Sequence, residues 1–400
     1  SSADAFGRGF EGDFAGGAFE PAVAWRTISA PAGEIAMVHQ RASGQEVAPD
    51  PGGYGGGSGC ESSIVQSSLT FFHEDGTITG GPDLARATLP VDVAISPVLA
   101  DGSQRVAVVA AGNERGESSV LVYQRLNLEH SFPGDCMFPE QETSSPIPNA
   151  TSAAYAQDGT LVVLSRDATS GATGANLALI GQFGDVSWIP LGGEARFDAG
   201  HAVFHGNSGA FLACASCHPE GGEDGRTWTF GRIGGRRTPA MHGDLIGTEP
   251  FHWDGDMQDL EHLVRDVFTG RMQGPALGPA QIDALGGWLD ALPAPTSSPV
   301  VDADAVARGA TLFNGEAQCA TCHSGALYSS NATVDVGTGG AFQVPSLIGV
   351  SYRTPVMHSG CATTLHERFS DACGGGDMHG RTSHLAPEQV DDLVAFLDTI

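Results

Sequence analysis

Cys214-Ala215-Ser216-Cys217-His218 and Cys319-Ala320-Thr321-Cys322-His323 are two copies of one pattern, Cys-x-x-Cys-His. Two thiols at this spacing add to the vinyl groups of a porphyrin. The histidine that follows is then carried beneath the iron, so the pattern attaches a c-type haem and supplies its proximal ligand. One copy arises readily by chance, but two copies followed by matching sequence do not. They predict two covalently attached haems c, one held by Cys214, Cys217 and His218 and the other by Cys319, Cys322 and His323. A pair of zinc knuckles would need two further Cys or His ligands per metal at short spacing, and the sequence supplies none.

The repeat extends beyond the pentapeptides. Asp198-Ala199-Gly200-His201-Ala202-Val203-Phe204 leads into the first, and Ala307-Arg308-Gly309-Ala310-Thr311-Leu312-Phe313 into the second. Each is followed by a loop ending in Pro250-Phe251-His252-Trp253-Asp254-Gly255 or Pro355-Val356-Met357-His358-Ser359-Gly360. A short helix is predicted next, over 259–268 or 364–369, and then a closing helix opened by proline, over 279–292 or 387–400. Leu285, Trp288, Leu289 and Leu292 recur at i, i+3, i+4 and i+7, one apolar stripe. A proline-stiffened linker, 293–299, joins the copies. The periodicity predicts two mainly α cytochrome c domains, 199–296 and 297–400.

Residues 1–198 read as an all-β domain. Short β-branched runs such as 105–110, 119–123 and 160–164 alternate with polar turns, two of them Asp101-Gly102 and Asp158-Gly159. The order resembles β-propeller blades, which repeat at about 40–50 residues, so this length supplies about four. A small or partial propeller is therefore expected, with a β-sandwich as the alternative. The glycine-rich stretch 51–59 reads as a flexible loop.

The net charge is −28, and all nineteen basic residues are arginine. The acidity is spread over both halves, which excludes nucleic acid as a partner because phosphate neutralisation needs a basic face. This charge would attract a basic protein redox partner, and solubility in an acidic or salty medium is the simpler account of it. No apolar run approaches the roughly 20 residues of a membrane span. Haem c is attached outside the cytoplasm, so an exported, periplasmic or extracellular protein is expected, its signal peptide absent from this chain. Cys60, Cys136, Cys361 and Cys373 are left over, an even number that suits disulfides 361–373 and 60–136 in an oxidising compartment.

The sixth iron ligands decide between chemistry and electron transfer, because a Met cap favours the latter. Aligning the repeats sets Met272 opposite Met378, each in a loop before the closing helix. They are the expected axial ligands, with His242, His252, His358, His366 and His379 as competitors, the last of them adjacent to Met378. His252 and His358 are read as counterparts that bond haem propionates or an interface. Arg232, Arg236, Arg237 and Arg353 can serve the propionates, and Trp253 falls in a loop that can face the neighbouring haem.

These stretches, with Arg236-Arg237-Thr238-Pro239 and the run from Met378-His379-Gly380 to Val390, resemble the bacterial di-haem cytochrome c peroxidase family, including MauG-like enzymes. The resemblance covers 199–400 and implies that Met378 ligates a high-potential C-terminal haem and that Trp253 is the inter-haem tryptophan. It also shows departures. No histidine lies in 220–235, where the family's detachable distal ligand falls, and Arg271 occupies the position of its acidic catalytic residue. An arginine does not accept the proton that peroxide heterolysis must move. Arg237 and Arg353 stand where the family binds an inter-domain calcium, so two guanidinium groups replace that cation. The expected function is electron transfer by a di-haem cytochrome with both irons His/Met ligated. A peroxidase or MauG-like oxidase with an open first haem is one alternative. Another is a β domain that binds or assembles with another chain, the haems serving as electron outlet.

Overall fold

The computed structural model describes residues 19–400 apart from 31–32, 56–62, 114–116, 141–142, 144, 167–173 and 195–196. The chain divides into two units, residues 1–217 with 267–276 and residues 218–266 with 277–400. Residues 199–217 and 267–276 thus fall with the β segment, and the units are drawn differently from domains bounded at 198/199 and 296/297.

The first unit is a succession of antiparallel meanders. Strands β1 (Phe19–Ser29), β2 (Ile35–Ser43), β3 (Val65–Phe72) and β4 (Ile78–Gly80) pair in sequence order. After β5 (Asp83–Leu84), a three-stranded sheet follows: β6 (Pro90–Ile95), β7 (Arg105–Ala110) and β8 (Val120–Gln124). Helix α1 (Arg125–His130) leads to β9 (Cys136–Met137), which pairs in parallel with β5. The last meander is β10 (Ala150–Tyr155), β11 (Leu161–Ser165), β12 (Ala175–Ile180) and β13 (Val186–Gly192).

The sequence of β7 explains how these sheets stack. Successive side chains on a strand point to opposite faces. Val106, Val108 and Ala110 bury in one cluster with Val38, Leu69 and Phe71 of the first sheet. Ala107 and Val109 bury in another with Leu161, Val163 and Ile180 of the third. A continuous apolar run therefore marks a sheet covered on both faces, and each fully buried Val or Leu is worth about 1.5–3 kcal/mol. The two Asp-Gly turns form as predicted. Asp101 accepts from the Ser103 amide at 2.9 Å and Asp158 from the Thr160 amide at 2.9 Å, while Gly102 and Gly159 take φ near +80° and +85°. Helix α2 (Ala199–His205), capped by Asp198, precedes the first Cys-x-x-Cys segment.

The second unit carries hairpins β14 (Thr227–Phe230)–β15 (Gly234–Arg237) and β16 (Thr333–Asp335)–β17 (Ala341–Gln343). Its helices are α3 (Leu260–Leu263), α4 (Pro279–Asp290), α5 (Ala303–Asn314), α6 (Leu365–Arg368) and α7 (Pro387–Leu397). Proline at the first turn opens both closing helices, where a missing N–H goes unnoticed. The helix expected over 259–268 is instead one turn of α-helix continued as a π-helix over Val264–Arg271. Helices α5 and α7 cross at Gly309, where a Cβ would lie 1.9 Å from the Asp392 carbonyl oxygen. Leu312, Phe313, Leu393 and Phe396 fill the crossing, and Arg308 forks onto Asp392 with two bonds of 2.7 Å. Among the described residues no helix is long and apolar enough to cross a membrane.

Candidate functional site

Each Cys-x-x-Cys segment is a tight 3-10 turn, Cys214–Ser216 or Cys319–Thr321, and none of the four cysteines in the two segments is in a disulfide. Burial pushes the Cys214 thiol up to about 12 and the Cys319 thiol up to about 11. The histidine after each turn is oriented by a backbone carbonyl. His218 Nδ1 lies 3.3 Å from the Gly222 oxygen and His323 Nδ1 lies 3.0 Å from the Tyr328 oxygen. A carbonyl only accepts, so Nδ1 carries the proton and Nε2 keeps a lone pair for a metal. Burial holds both imidazoles below the usual histidine range, which keeps that lone pair free. Two thiols and one imidazole Nε2 on each loop fit a covalently attached haem.

The loops after these motifs repeat in backbone as well as in sequence. His252 and Met357 both take positive φ, at 65° and 74°, as do Gly255 and Gly360 at 63° and 66°. An isolated bridge closes each loop, Phe251 with Met257 and Val356 with Ala362. On this register the counterpart of His358 is Trp253, and the counterpart of His252 is Met357. The expected pairing of His252 with His358 is therefore one residue out. Backbone torsion, and not the shared imidazole, sets the correspondence.

Each loop rests on the other repeat's hairpin. The Gln343 amide donates to the Trp253 carbonyl at 2.8 Å, and the Arg237 amide donates to the His358 carbonyl at 2.6 Å. A Cβ on Gly255 would fall 2.4 Å from Thr333 Oγ1, and one on Gly360 would fall 2.5 Å from Thr227 Oγ1. The interface is thus reciprocal, like that of a two-fold dimer, within one chain. At its centre the Trp253 and His358 rings meet edge to face with centroids 6.4 Å apart. Trp253 Nε1 donates to the Arg237 carbonyl at 2.7 Å, and Phe342 stacks on His358 at 3.9 Å. Arg236 lies over Phe342 and forks onto Asp254 at 2.7 and 3.1 Å.

Arg237 pairs with Glu223, both almost wholly buried, and the Glu223 carboxylate also acts on the buried Arg353. Nε of Arg237 and of Arg353 is buried without a hydrogen-bond partner. An unmet buried guanidinium donor is costly and suits an anion, and the carboxylate of a haem propionate is of that kind. His252 bonds Asp256 at 3.1 Å and is near enough to His218 to oppose its protonation. Arg232 takes positive φ, 67°, at the turn between β14 and β15.

Met272 is 6% exposed, and its carbonyl accepts from Ser208 Oγ at 2.7 Å. The glycine-rich stretch pins the loop that carries it. Gly52 donates to the Gly270 carbonyl at 2.9 Å and Tyr54 to the Arg271 carbonyl at 3.2 Å. Arg271 Nη1 in turn reaches the Tyr54 hydroxyl at 3.3 Å. Residues 52–55 are therefore held, contrary to the flexible loop expected, while 56–59 lie outside the described residues. Tyr54 was not anticipated in sequence, where the lone aromatic among glycines is the only signal. Burial raises its hydroxyl's pKa, and Cys217 lies near enough to add to that rise.

Met378 is 62% exposed and turns its sulfur toward Gly337, where a Cβ would lie 2.9 Å from Sδ. His379, next in the chain, is half-buried, and its ring centroid lies 6.2 Å from that of His323 with planes inclined at 31°. The disulfide Cys361–Cys373 ties the preceding loop. Cys136 is disulfide-bonded as well, and Cys60, its expected partner, lies outside the described residues.

Residues 306–400 match the cytochrome c family. The gamma subunit of hydrazine synthase from Kuenenia stuttgartiensis is 28% identical over 47% of this chain and 72% of its own length. Methylamine utilization protein MauG of Methylorubrum extorquens is 26% identical over the same shares. A cytochrome-c peroxidase of Denitromonas iodatirespirans is 28% identical over 23% of this chain and 39% of its own. The C-terminal part of the chain is a cytochrome c domain, and about half of the chain is similar to haem proteins of the MauG and peroxidase kind.

Proposed function

We propose that this chain is a di-haem c-type cytochrome that passes electrons between protein partners outside the cytoplasm. One haem is held by Cys214, Cys217 and His218 and capped by Met272, and the other by Cys319, Cys322 and His323. The organisation is a β domain over 1–198 followed by haem domains over 199–296 and 297–400. The observation that carries the reading is the reciprocal interface with Trp253 against His358, which joins the two repeats by aromatic contact. The propionates are met by Arg237 and Arg353, whose side chains also stand in for an inter-domain calcium. Arg236, already committed to Asp254, lies over Phe342 instead. The haem supplies one-electron chemistry, and the chain fixes its ligands and excludes water.

The net charge of −28 favours a basic redox partner, and the β domain is the surface we assign to association with another chain. A second reading, a peroxidase or MauG-like oxidase with an open first haem, draws support from the similarity to MauG. Haem content and the oxidised spectra separate the two. Two haems per chain, no high-spin signal and no spectral response to peroxide are expected. A high-spin first haem that shifts with peroxide would overturn electron transfer in favour of the second reading.

A further inference from the structure

We infer that His379, and not Met378, is the sixth ligand of the C-terminal haem, which makes that iron bis-histidine ligated; the inference rests on reading Cys319, Cys322 and His323 as a haem site. A metal–imidazole bond is about 2.0–2.1 Å long and a ring nitrogen lies about 1.1 Å from its centroid, so two imidazoles on one iron have centroids about 6 Å apart. His323 and His379 are at 6.2 Å. His323 already spends Nδ1 on the Tyr328 carbonyl, which leaves Nε2 as its metal-binding atom.

His379 has the features of a ligand held in place. Its carbonyl accepts from Arg368 Nη2 at 2.6 Å. Its neighbour Arg381 donates from the backbone to the Ala317 carbonyl at 2.9 Å, two residues before the first cysteine of the motif. Gly380 passes so close that a Cβ there would be 3.6 Å from Cys319 Sγ. The segment 379–381 is therefore laid along the attachment turn. His379 Nδ1 is buried and has no hydrogen-bond partner, an arrangement that protein interiors rarely tolerate unless the imidazole serves something else. Met378 shows the opposite. It is 62% exposed, and its sulfur packs on Gly337 beside Gly375.

The test uses the oxidised full chain with both haems loaded. Near-infrared magnetic circular dichroism and EPR are recorded for the wild type and for Met378→Leu, His379→Ala, His379→Met and Met272→Leu. One haem of the wild type is expected to give a bis-imidazole signal that Met378→Leu leaves unchanged. His379→Ala is expected to turn half of the haem high-spin, with added imidazole restoring the low-spin form. His379→Met is expected to replace the bis-imidazole signal with a methionine charge-transfer band and to raise that haem's midpoint potential. Any methionine band in the wild type should vanish in Met272→Leu. If it vanishes in Met378→Leu, or if the wild type has no bis-imidazole signal, His379 is not the ligand. Should His379→Ala fail to mature, the wild-type and Met378→Leu spectra decide alone. Haem content checks the underlying reading separately: if Cys322→Ala keeps both haems, it is the C-terminal attachment site that fails.

Discussion

Replacing Gly309 with alanine tests the helix crossing that shapes the C-terminal haem site. The new Cβ would stand 1.9 Å from the Asp392 oxygen, 2.6 Å from its carbon and 2.8 Å from Phe396 Cβ. Two of those atoms are backbone, so no side chain can swing aside and α5 must retreat from α7 by about 1 Å. Overpacking of this kind costs about 1–3 kcal/mol, and a fixed backbone puts the cost near the top of that range. Alanine recovers about 1 kcal/mol of helix propensity over glycine. The net loss is about 2 kcal/mol, which lowers the melting temperature by about 4–8 °C for a unit of this size. Gly287 on α4 is the control, since nothing lies within 4 Å of its added Cβ. Gly287→Ala should therefore raise stability by about 1 kcal/mol. Differential scanning calorimetry of the two haem-loaded variants checks both signs. Equal or stabilising effects at the two positions would refute the close crossing.

His39, buried beside Arg41, has its pKa lowered to about 4, first by burial and then by that guanidinium. An unfolded histidine protonates near 6.5, so the stability it lends is complete above that pH and is lost as the pH falls from about 6.5 to about 4. The loss reaches about 3 kcal/mol. His39→Gln should flatten this limb of the urea midpoint against pH, and an unaltered limb would assign it elsewhere. Trp253→Phe keeps a ring against His358 but loses the bond to the Arg237 carbonyl, costing about 1 kcal/mol. Slower electron exchange between the haems, measured by flash reduction at unchanged haem content, is expected, and an unchanged rate would remove Trp253 from the path. Arg271→Glu breaks the bond to Tyr54, so hydrogen exchange should show amides 52–55 losing protection by about tenfold, as one bond of about 1–1.5 kcal/mol implies.

What could be read in sequence was what local chemistry enforces. Cys-x-x-Cys-His needs no tertiary context, and the turns at Asp101-Gly102 and Asp158-Gly159 are set by an Asx bond and a left-handed glycine. The apolar run of β7 likewise announces a strand covered on two faces. Illegible features depended on distant partners or on backbone torsion. Tyr54 meets Arg271 across more than two hundred residues, and nothing in either stretch predicts the other. Aligning histidines set His252 against His358, yet the positive φ at His252 and Met357 shows that position in the turn outranks side-chain type. Gly374, Gly375 and Gly376 all take positive φ just upstream of Met378 and His379, a backbone path that no side-chain pattern in the sequence announces.

The reciprocal interface shows how a repeated frame can carry unlike chemistry. Its joining bonds are backbone to backbone, from Gln343 to Trp253 and from Arg237 to His358, so they hold whatever side chains those residues bear. The close approaches at Gly255 and Gly360 are met by the same residue type, Thr333 and Thr227. Side chains on that frame are then free to diverge. Tryptophan faces histidine at the centre, and Arg236 lies over Phe342 from the opposite hairpin. The charge falls on one side only: Arg237 closes onto the buried Glu223, while the corresponding Gln343 bonds the neutral Thr248 carbonyl at 3.2 Å. Two haems seated on such a frame would share its geometry and differ in electrostatic surroundings and in axial ligand. For the electron transfer we propose, a fixed separation and unequal potentials are what direction through the Trp253–His358 contact would require.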